Sequence, residues 1–264
     1  MSVHPTALVD PQAEIDPTAT IGASSVIDGP VRIGPGCRIA PLAVVLGDTE
    51  IGGDCRIHSH AVIGDLPQDH AYEGEASFCR IGRGCVIREG VTVHRGTAAG
   101  SSTIIGDRCS LMTNSHVGHN CVLEEAVTLI SGALLGGYAQ VGRRAVISGN
   151  AAVHQFVRIG ELAMVSGLAK IVQDVPPFFM TDRDGAIVGV NWVGLQRAGV
   201  AADDRREIKA VHRQIYRSGL DYQASLEHLE KTVSTASGHR LFEFLASESV
   251  RGITRDARRR RQAD

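Results

Sequence analysis

Residues 117–159 read VGHNCVLEEAVTLISGALLGGYAQVGRRAVISGNAAVHQFVRI, and their apolar residues fall six apart: Val117, Leu123, Leu129, Leu135, Val141, Ile147, Val153 and Ile159. A period of six excludes an amphipathic helix, whose apolar face recurs at three and four, and excludes a simple strand, which alternates in twos. It fits a short strand plus a turn. Three such units close one triangular coil of eighteen residues, and coils stack at the ~4.8 Å spacing of hydrogen-bonded strands.

Working outward, the same phase runs back to Val3 and on to Ile171, with Val, Ile or Leu at 26 of the 29 positions reached in steps of six. Four residues after each the side chain is mostly small, as at Ala7, Ala19, Ala61, Ser115, Ala133 and Ala163. All six cysteines (Cys37, Cys55, Cys79, Cys85, Cys109 and Cys121) share that position and form no C-x-x-C pair, so they are expected to pack in the core rather than bind metal. The I-G pairs Ile21-Gly22, Ile33-Gly34, Ile51-Gly52 and Ile81-Gly82 suit corners with unusual backbone angles. Residues 3–176 then make nine or ten coils, about 45 Å long at that spacing. Handedness does not follow from the period.

Two stretches, 64–80 and 94–104, break the pattern yet keep its phase, and loops leaving a rigid scaffold commonly carry function. After Pro176-Pro177 the hexad stops, and DDRREIKAVHRQIYRSGL, DYQASLEHLEKTV and HRLFEFLASES read as amphipathic helices. The expected organisation is a β-helix over 1–177, a connector over 178–191, an α-helical domain over 192–255 and an Arg-rich, disordered tail over 256–264.

Composition narrows the functional classes. Aromatics are only 4% and glycines number 30, so the core is built from small aliphatic side chains. A net charge of −2 argues against a general nucleic-acid binder, although six arginines crowd the last fourteen residues. No apolar stretch approaches the ~20 residues of a membrane span, and the N-terminus lacks a signal-peptide pattern, so a cytoplasmic protein is expected.

Eighteen residues per coil place Gly137 one coil above His119, and Gln155 one coil above Gly137, with His154 beside the column. A neutral histidine can take a proton from a hydroxyl, and a backbone N–H can stabilise the oxyanion of an attacked thioester. The same histidines could merely decorate a solvent-facing corner. Zinc is a further alternative, because His116 and His119 lie three apart with other histidines on neighbouring coils.

The motifs QDHAYEGE (68–75), IREGVTVHRGT (87–97), NSHVGHNC (114–121), AVHQF (152–156), QDVPPF (173–178), GVN (189–191) and IYRSG (215–219) resemble the UDP-N-acetylglucosamine O-acyltransferases, which act first in lipid A biosynthesis. The resemblance covers almost the whole chain. It implies a mainly β fold, a left-handed parallel β-helix of hexapeptide repeats with a C-terminal α-helical domain, assembled as a homotrimer with sites between subunits. It also implies acyl transfer from acyl carrier protein to the sugar 3-hydroxyl, with His119 as general base and the Gly137 N–H as oxyanion donor, and no covalent intermediate.

Under the same resemblance Gln68, Asp69, His116 and Gln155 orient the sugar, His154 supports the site, and Asn191 and Arg197 contact the nucleotide. Gly167 stands where acyl-chain length is set. No metal or resident cofactor is expected, because the acyl group arrives on the carrier's phosphopantetheine; no nucleic-acid partner and no membrane span are expected either. Structural roles compete: Gln68 and Asp69 could cap a loop, Asn191 could close a turn, Arg197 could pair with Asp203 or Asp204, and Gly167 could be an ordinary corner glycine.

The chain departs from the family pattern at Ala71 (usually Lys), Tyr138 (usually His), Asn120 (usually acidic), Val193 (usually acidic) and Ala198 (usually Arg). Fewer cations should weaken pyrophosphate binding, and an amide at 120 cannot support a protonated His119 as a carboxylate would. An N-acyltransferase acting on an amino-sugar nucleotide, a non-catalytic scaffold descended from the enzyme, and a zinc-dependent hydratase remain the alternatives to O-acyl transfer.

Overall fold

The computed structural model describes residues 2–257. Short parallel strands form three sheets of 11, 9 and 8 strands, each sheet taking one strand per coil. Register follows the eighteen-residue period, with Val117 beside Leu135 and Leu135 beside Val153. The breaks are outward excursions over 66–77 and 95–101. Across the first, Ile57 pairs with Ile87, 30 residues on (18 + 12); across the second, Ile87 pairs with Leu111, 24 on (18 + 6). Both insertions are multiples of six, so the hexad phase survives them.

The period-six residues line the coil interior. Ile57, Ile63, Ile87, Leu111 and Ile147 are at most 1% exposed, and each is worth about 1.5–3 kcal/mol relative to leaving it in water. The cysteines are all buried. Five of them also donate their thiol to a carbonyl of the next coil: Cys37 to Gly52, Cys55 to Gly82, Cys85 to Gly106, Cys109 to Glu124 and Cys121 to Gly136, at 3.0–3.2 Å. They therefore satisfy a polar group as well as filling space.

The role expected for the I-G glycines is corrected. Gly22, Gly34, Gly52 and Gly82 do not have positive φ; the left-handed residue is two positions later, at Ser24, Gly36, Asp54 and Gly84. What the I-G glycine provides is room. A Cβ on Gly22 would lie 2.5 Å from Pro41 N, and one on Gly34 2.9 Å from Gly53 N, so a side chain there would hold the stacked coils apart. At the next hexad position the backbone N–H has no regular partner, which is why Pro5, Pro11, Pro17, Pro35 and Pro41 are accommodated there.

Residues 178–191, read as a connector, contain an antiparallel hairpin (Phe179–Thr181 with Ile187–Val190) that continues the first sheet. Four helices follow: α1 (Trp192–Arg197), α2 (Ala202–Arg217), α3 (Tyr222–Thr232) and α4 (Ala236–Ala246). Asn191, Asp221 and Thr235 cap α1, α3 and α4 through their side-chain oxygens. Ile208, Val211, Leu229, Leu241 and Leu245 form the shared apolar face.

Beyond α4 the chain returns to the last coil as a strap. Asp174 bridges to Ile253 and Ile187 to Asp256, while the buried Asp174 carboxylate accepts from Arg158 Nε and Ser249 Oγ, both at 2.7 Å. Residues 258–264, most of the expected disordered tail, lie outside the described residues. No helix among the described residues is long and apolar enough to cross a membrane.

Candidate active site

His119 sits at a coil corner, 8% exposed, and both excursions of the chain converge on it. Its Nδ1 lies 2.9 Å from Thr97 Oγ1 and 3.1 Å from Asn120 Oδ1. Thr97 belongs to the second excursion, and its hydroxyl donates to Asp69 Oδ2, from the first, at 3.2 Å. The Thr97 backbone N–H donates to Asn120 Oδ1 at 3.0 Å, so it is the amide oxygen that faces the imidazole. Facing that oxygen, Nδ1 must carry the proton, which leaves the Nε2 lone pair free.

The Nε2 side of the ring looks onto Gly137, where an added Cβ would come within 2.4 Å of Nε2. The Gly137 N–H donates to no acceptor among the described residues. Gly118, on the coil below, keeps that amide uncovered: a Cβ there would lie 2.9 Å from Gly137 N. A free base and a free backbone donor thus line one hollow of about 540 Å³ together with Gln68, His116, His154 and Gln155. Six of the residues singled out in the sequence meet there.

His116 Nδ1 lies 2.8 Å from Thr92 Oγ1. Burial, followed by the neighbouring His94 and His119, pushes its pKa down to about 4, so at neutral pH it is an uncharged hydrogen-bonding group. Asp69 has two functions in one carboxylate. Oδ1 accepts the Ala71 N–H at 3.0 Å, closing the loop, while Oδ2 turns to Thr97 and lies 3.8 Å from His119 Nδ1. Its pKa is lowered, first by that Ala71 N–H and then by the Thr97 hydroxyl and His119.

Tyr138 fills the corner position after Gly137 in the left-handed conformation, stacks on Phe156 at 4.9 Å and meets His119 edge-on at 5.3 Å. His154 is exposed, and Arg251 from the C-terminal strap packs against it, with Nη2 2.9 Å from His154 Nε2 and Nε donating to Gln155 O at 3.0 Å.

Asn191, Arg197 and Gly167 lie outside the hollow. Asn191 is buried and occupied, its Oδ1 accepting the Gly194 N–H that starts α1 and its Nδ2 donating to Leu162 O. Arg197 is exposed in the last turn of α1; it pairs with neither Asp203, which bonds Arg206, nor Asp204, which accepts the Ser237 N–H. Gly167 is exposed, and a Cβ there would meet only Gly149 O at 3.5 Å, so a larger side chain has space. Zinc would need ligands converging at ~2.0–2.1 Å; among the described residues no group of three His, Cys, Asp or Glu side chains is arranged to hold one ion.

Thr97 and Arg251 were not singled out in the sequence. Thr97 lies 22 residues before His119, off the eighteen-residue lattice because an insertion intervenes; its only signal was membership of the HRGT segment in a broken hexad. Arg251 is brought in by the strap, which no period describes.

Stacked hexapeptide coils carrying a histidine opposite a free backbone amide define a transferase of the hexapeptide-repeat class. Residues 30–65 match the bacterial transferase hexapeptide model, and residues 174–254 match the model for domain 2 of UDP-N-acetylglucosamine O-acyltransferase. An enzyme of Anaeromyxobacter named acyl-acyl-carrier-protein UDP-N-acetylglucosamine O-acyltransferase is 40% identical over 257 residues, covering 97% of this chain and 100% of that one. Its Synechocystis namesake is 46% identical over 175 residues, 66% of this chain and 63% of that protein. The crystal structure of the UDP-N-acetylglucosamine O-acyltransferase of Moraxella catarrhalis superposes with a TM-score of 0.92 at 32% identity, covering 97% of this chain and all of that one. The chain belongs to the UDP-N-acetylglucosamine O-acyltransferase family, and its fold is the left-handed parallel β-helix with a C-terminal helical region.

Proposed function

We propose that the protein transfers a (3-hydroxy)acyl chain from acyl carrier protein to the 3-hydroxyl of UDP-N-acetylglucosamine. The observation that carries this reading is the pairing of His119 Nε2, unprotonated because Nδ1–H is engaged, with the unbonded N–H of Gly137 across one hollow. Nε2 takes the proton of the sugar hydroxyl as its oxygen attacks the thioester carbonyl carbon. The Gly137 N–H donates to the resulting oxyanion. On collapse the C–S bond breaks, and the proton passes from Nε2 to the departing phosphopantetheine sulfur. No enzyme-bound acyl group forms, and no resident cofactor is used.

Gln68, His116 and Gln155 line the hollow as hydrogen-bonding groups for the sugar, and Asp69 holds the loop that brings Gln68 there. His154, with Arg251 against it, closes the upper side. Arg197 supplies a guanidinium for the diphosphate, presented by α1, whose start Asn191 caps; with neither residue in the hollow of its own chain, the site is completed between subunits of a homotrimer. Gly167 leaves room for a long acyl chain. A cytoplasmic location follows, where soluble acyl carrier protein and nucleotide sugar are both found.

The test is acyl transfer by purified protein from 3-hydroxyacyl carrier protein to UDP-N-acetylglucosamine, with the 3-amino analogue in parallel and products identified by mass. Ester product that disappears in His119→Ala, with the fold retained, supports the reading. Amide product alone, or full turnover by His119→Ala, overturns it.

A further inference from the structure

Asn120 and Thr97 both present oxygen to His119 Nδ1, but neither carries charge, and among the described residues the only carboxylate paired with the ring is Asp69. Thr97 has a single hydroxyl hydrogen, and it points at Asp69 Oδ2. The hydroxyl oxygen is then left to accept from Nδ1–H. Thr97 is 5% exposed and its backbone N–H is committed to Asn120 Oδ1, so the hydroxyl has little freedom to reorient.

We infer that Thr97 is a positioning residue for acyl transfer: its hydroxyl links His119 Nδ1–H to the Asp69 carboxylate, holding the imidazole with Nε2 as the free base. The inference rests on the reading of His119 as general base and adds a histidine–threonine–carboxylate relay behind it. No proton leaves Nδ1 during turnover. When Nε2 takes the sugar proton, the imidazolium charge is met by Asp69 through the polarised Thr97 hydroxyl. The excursions over 66–77 and 95–101 gain a shared purpose, since each supplies one member of the relay to a histidine on the regular lattice. Arg95 Nη2 donates to Tyr72 OH at 3.1 Å, and Gly100 N to Ala76 O at 2.8 Å, tying the two excursions together.

Three measurements test the relay. In ¹⁵N spectra of the wild-type trimer, with His119→Gln used to assign the signal, the neutral His119 ring is expected as the Nδ1–H tautomer; a protonated Nε2 in the neutral ring overturns the relay whatever the activity. Thr97→Val keeps the shape of the side chain and removes the hydroxyl. It is expected to lower kcat about 10- to 100-fold, a fraction of the general-base contribution, with KM for UDP-N-acetylglucosamine changed less than about 2-fold. Thr97→Ser is expected to restore kcat to within about 3-fold of wild type. Wild-type kcat in Thr97→Val, or a raised KM at unchanged kcat, overturns the relay, the latter making the hydroxyl a substrate contact. Loss of the His119→Ala effect would instead overturn the base assignment, so the two failures are distinguishable.

Discussion

Gly137→Ala separates the geometry of the site from the stability of the fold. An alanine Cβ would lie 2.4 Å from His119 Nε2, 2.5 Å from Cε1 and 3.0 Å from Cδ2. Ordinary contact begins near 3.4 Å, so the ring must retreat by about 1 Å (3.4 − 2.4). It is held from behind at 2.9 Å by Thr97 and 3.1 Å by Asn120, and a shift of that size breaks or redirects those bonds. A misplacement of about 1 Å costs on the order of 100-fold in rate, or about 2.7 kcal/mol of barrier.

The backbone argues the other way for stability. Gly137 lies outside the left-handed region, so alanine is conformationally acceptable and would by itself add about 0.4–1 kcal/mol by restricting the unfolded chain. The expected result is kcat/KM down about 100-fold or more, with Tm within a few degrees of wild type. The amide N–H survives the substitution, so the loss would report the displaced His119 ring. Steady-state kinetics with acyl carrier protein donor and a thermal melt decide it, and a variant keeping activity within about 3-fold would refute the proposed dependence of turnover on the position of His119 Nε2.

Two further expectations concern stability. His116 and His212 are each held to about 4 from an ordinary 6.5, burial being the main cause, with His94 and His119 adding to it at His116 and Arg217 at His212. Between those values the unfolded chain binds more protons than the folded one, so stability present above about pH 6.5 is lost as pH falls toward 4. Urea midpoints should drop between about pH 7.5 and pH 5, and the slope should flatten in His212→Phe; a midpoint independent of pH would count against this. Gly52→Ala should cost about 1–3 kcal/mol, because its Cβ would meet the Gly82 backbone at 2.8 Å, whereas Gly149→Ala, whose Cβ meets Ser131 O at 3.4 Å, should be near neutral. Equal melting temperatures for the two would contradict the stacking role of the first.

Much of this architecture is legible in one dimension because the β-helix is itself nearly one-dimensional. Each residue's neighbours lie eighteen positions away, so the period yields the sheets, the inward face and the His119–Gly137–Gln155 column together. The reading of the I-G glycines failed for a related reason: sequence shows that a corner is crowded but not whether φ or the coil above causes it. The backbone resolved that, putting the positive angle at Ser24 and Asp54 and the close approach at Gly22 and Gly52.

Sequence by itself determined the coil, its length, the helical appendage and the placement of Gly137 one coil above His119, since all of these repeat or pattern at short, regular intervals. Only the tertiary structure decided which groups stand behind His119. Asp69 and Thr97 reach it through insertions whose paths obey no period, and Arg251 reaches His154 only because the strap after α4 folds back onto the last coil. Tertiary packing likewise committed Asn191 to capping α1 and left Arg197 outside the hollow, because where a side chain goes after the solenoid ends depends on how helices dock and on nothing that recurs along the chain.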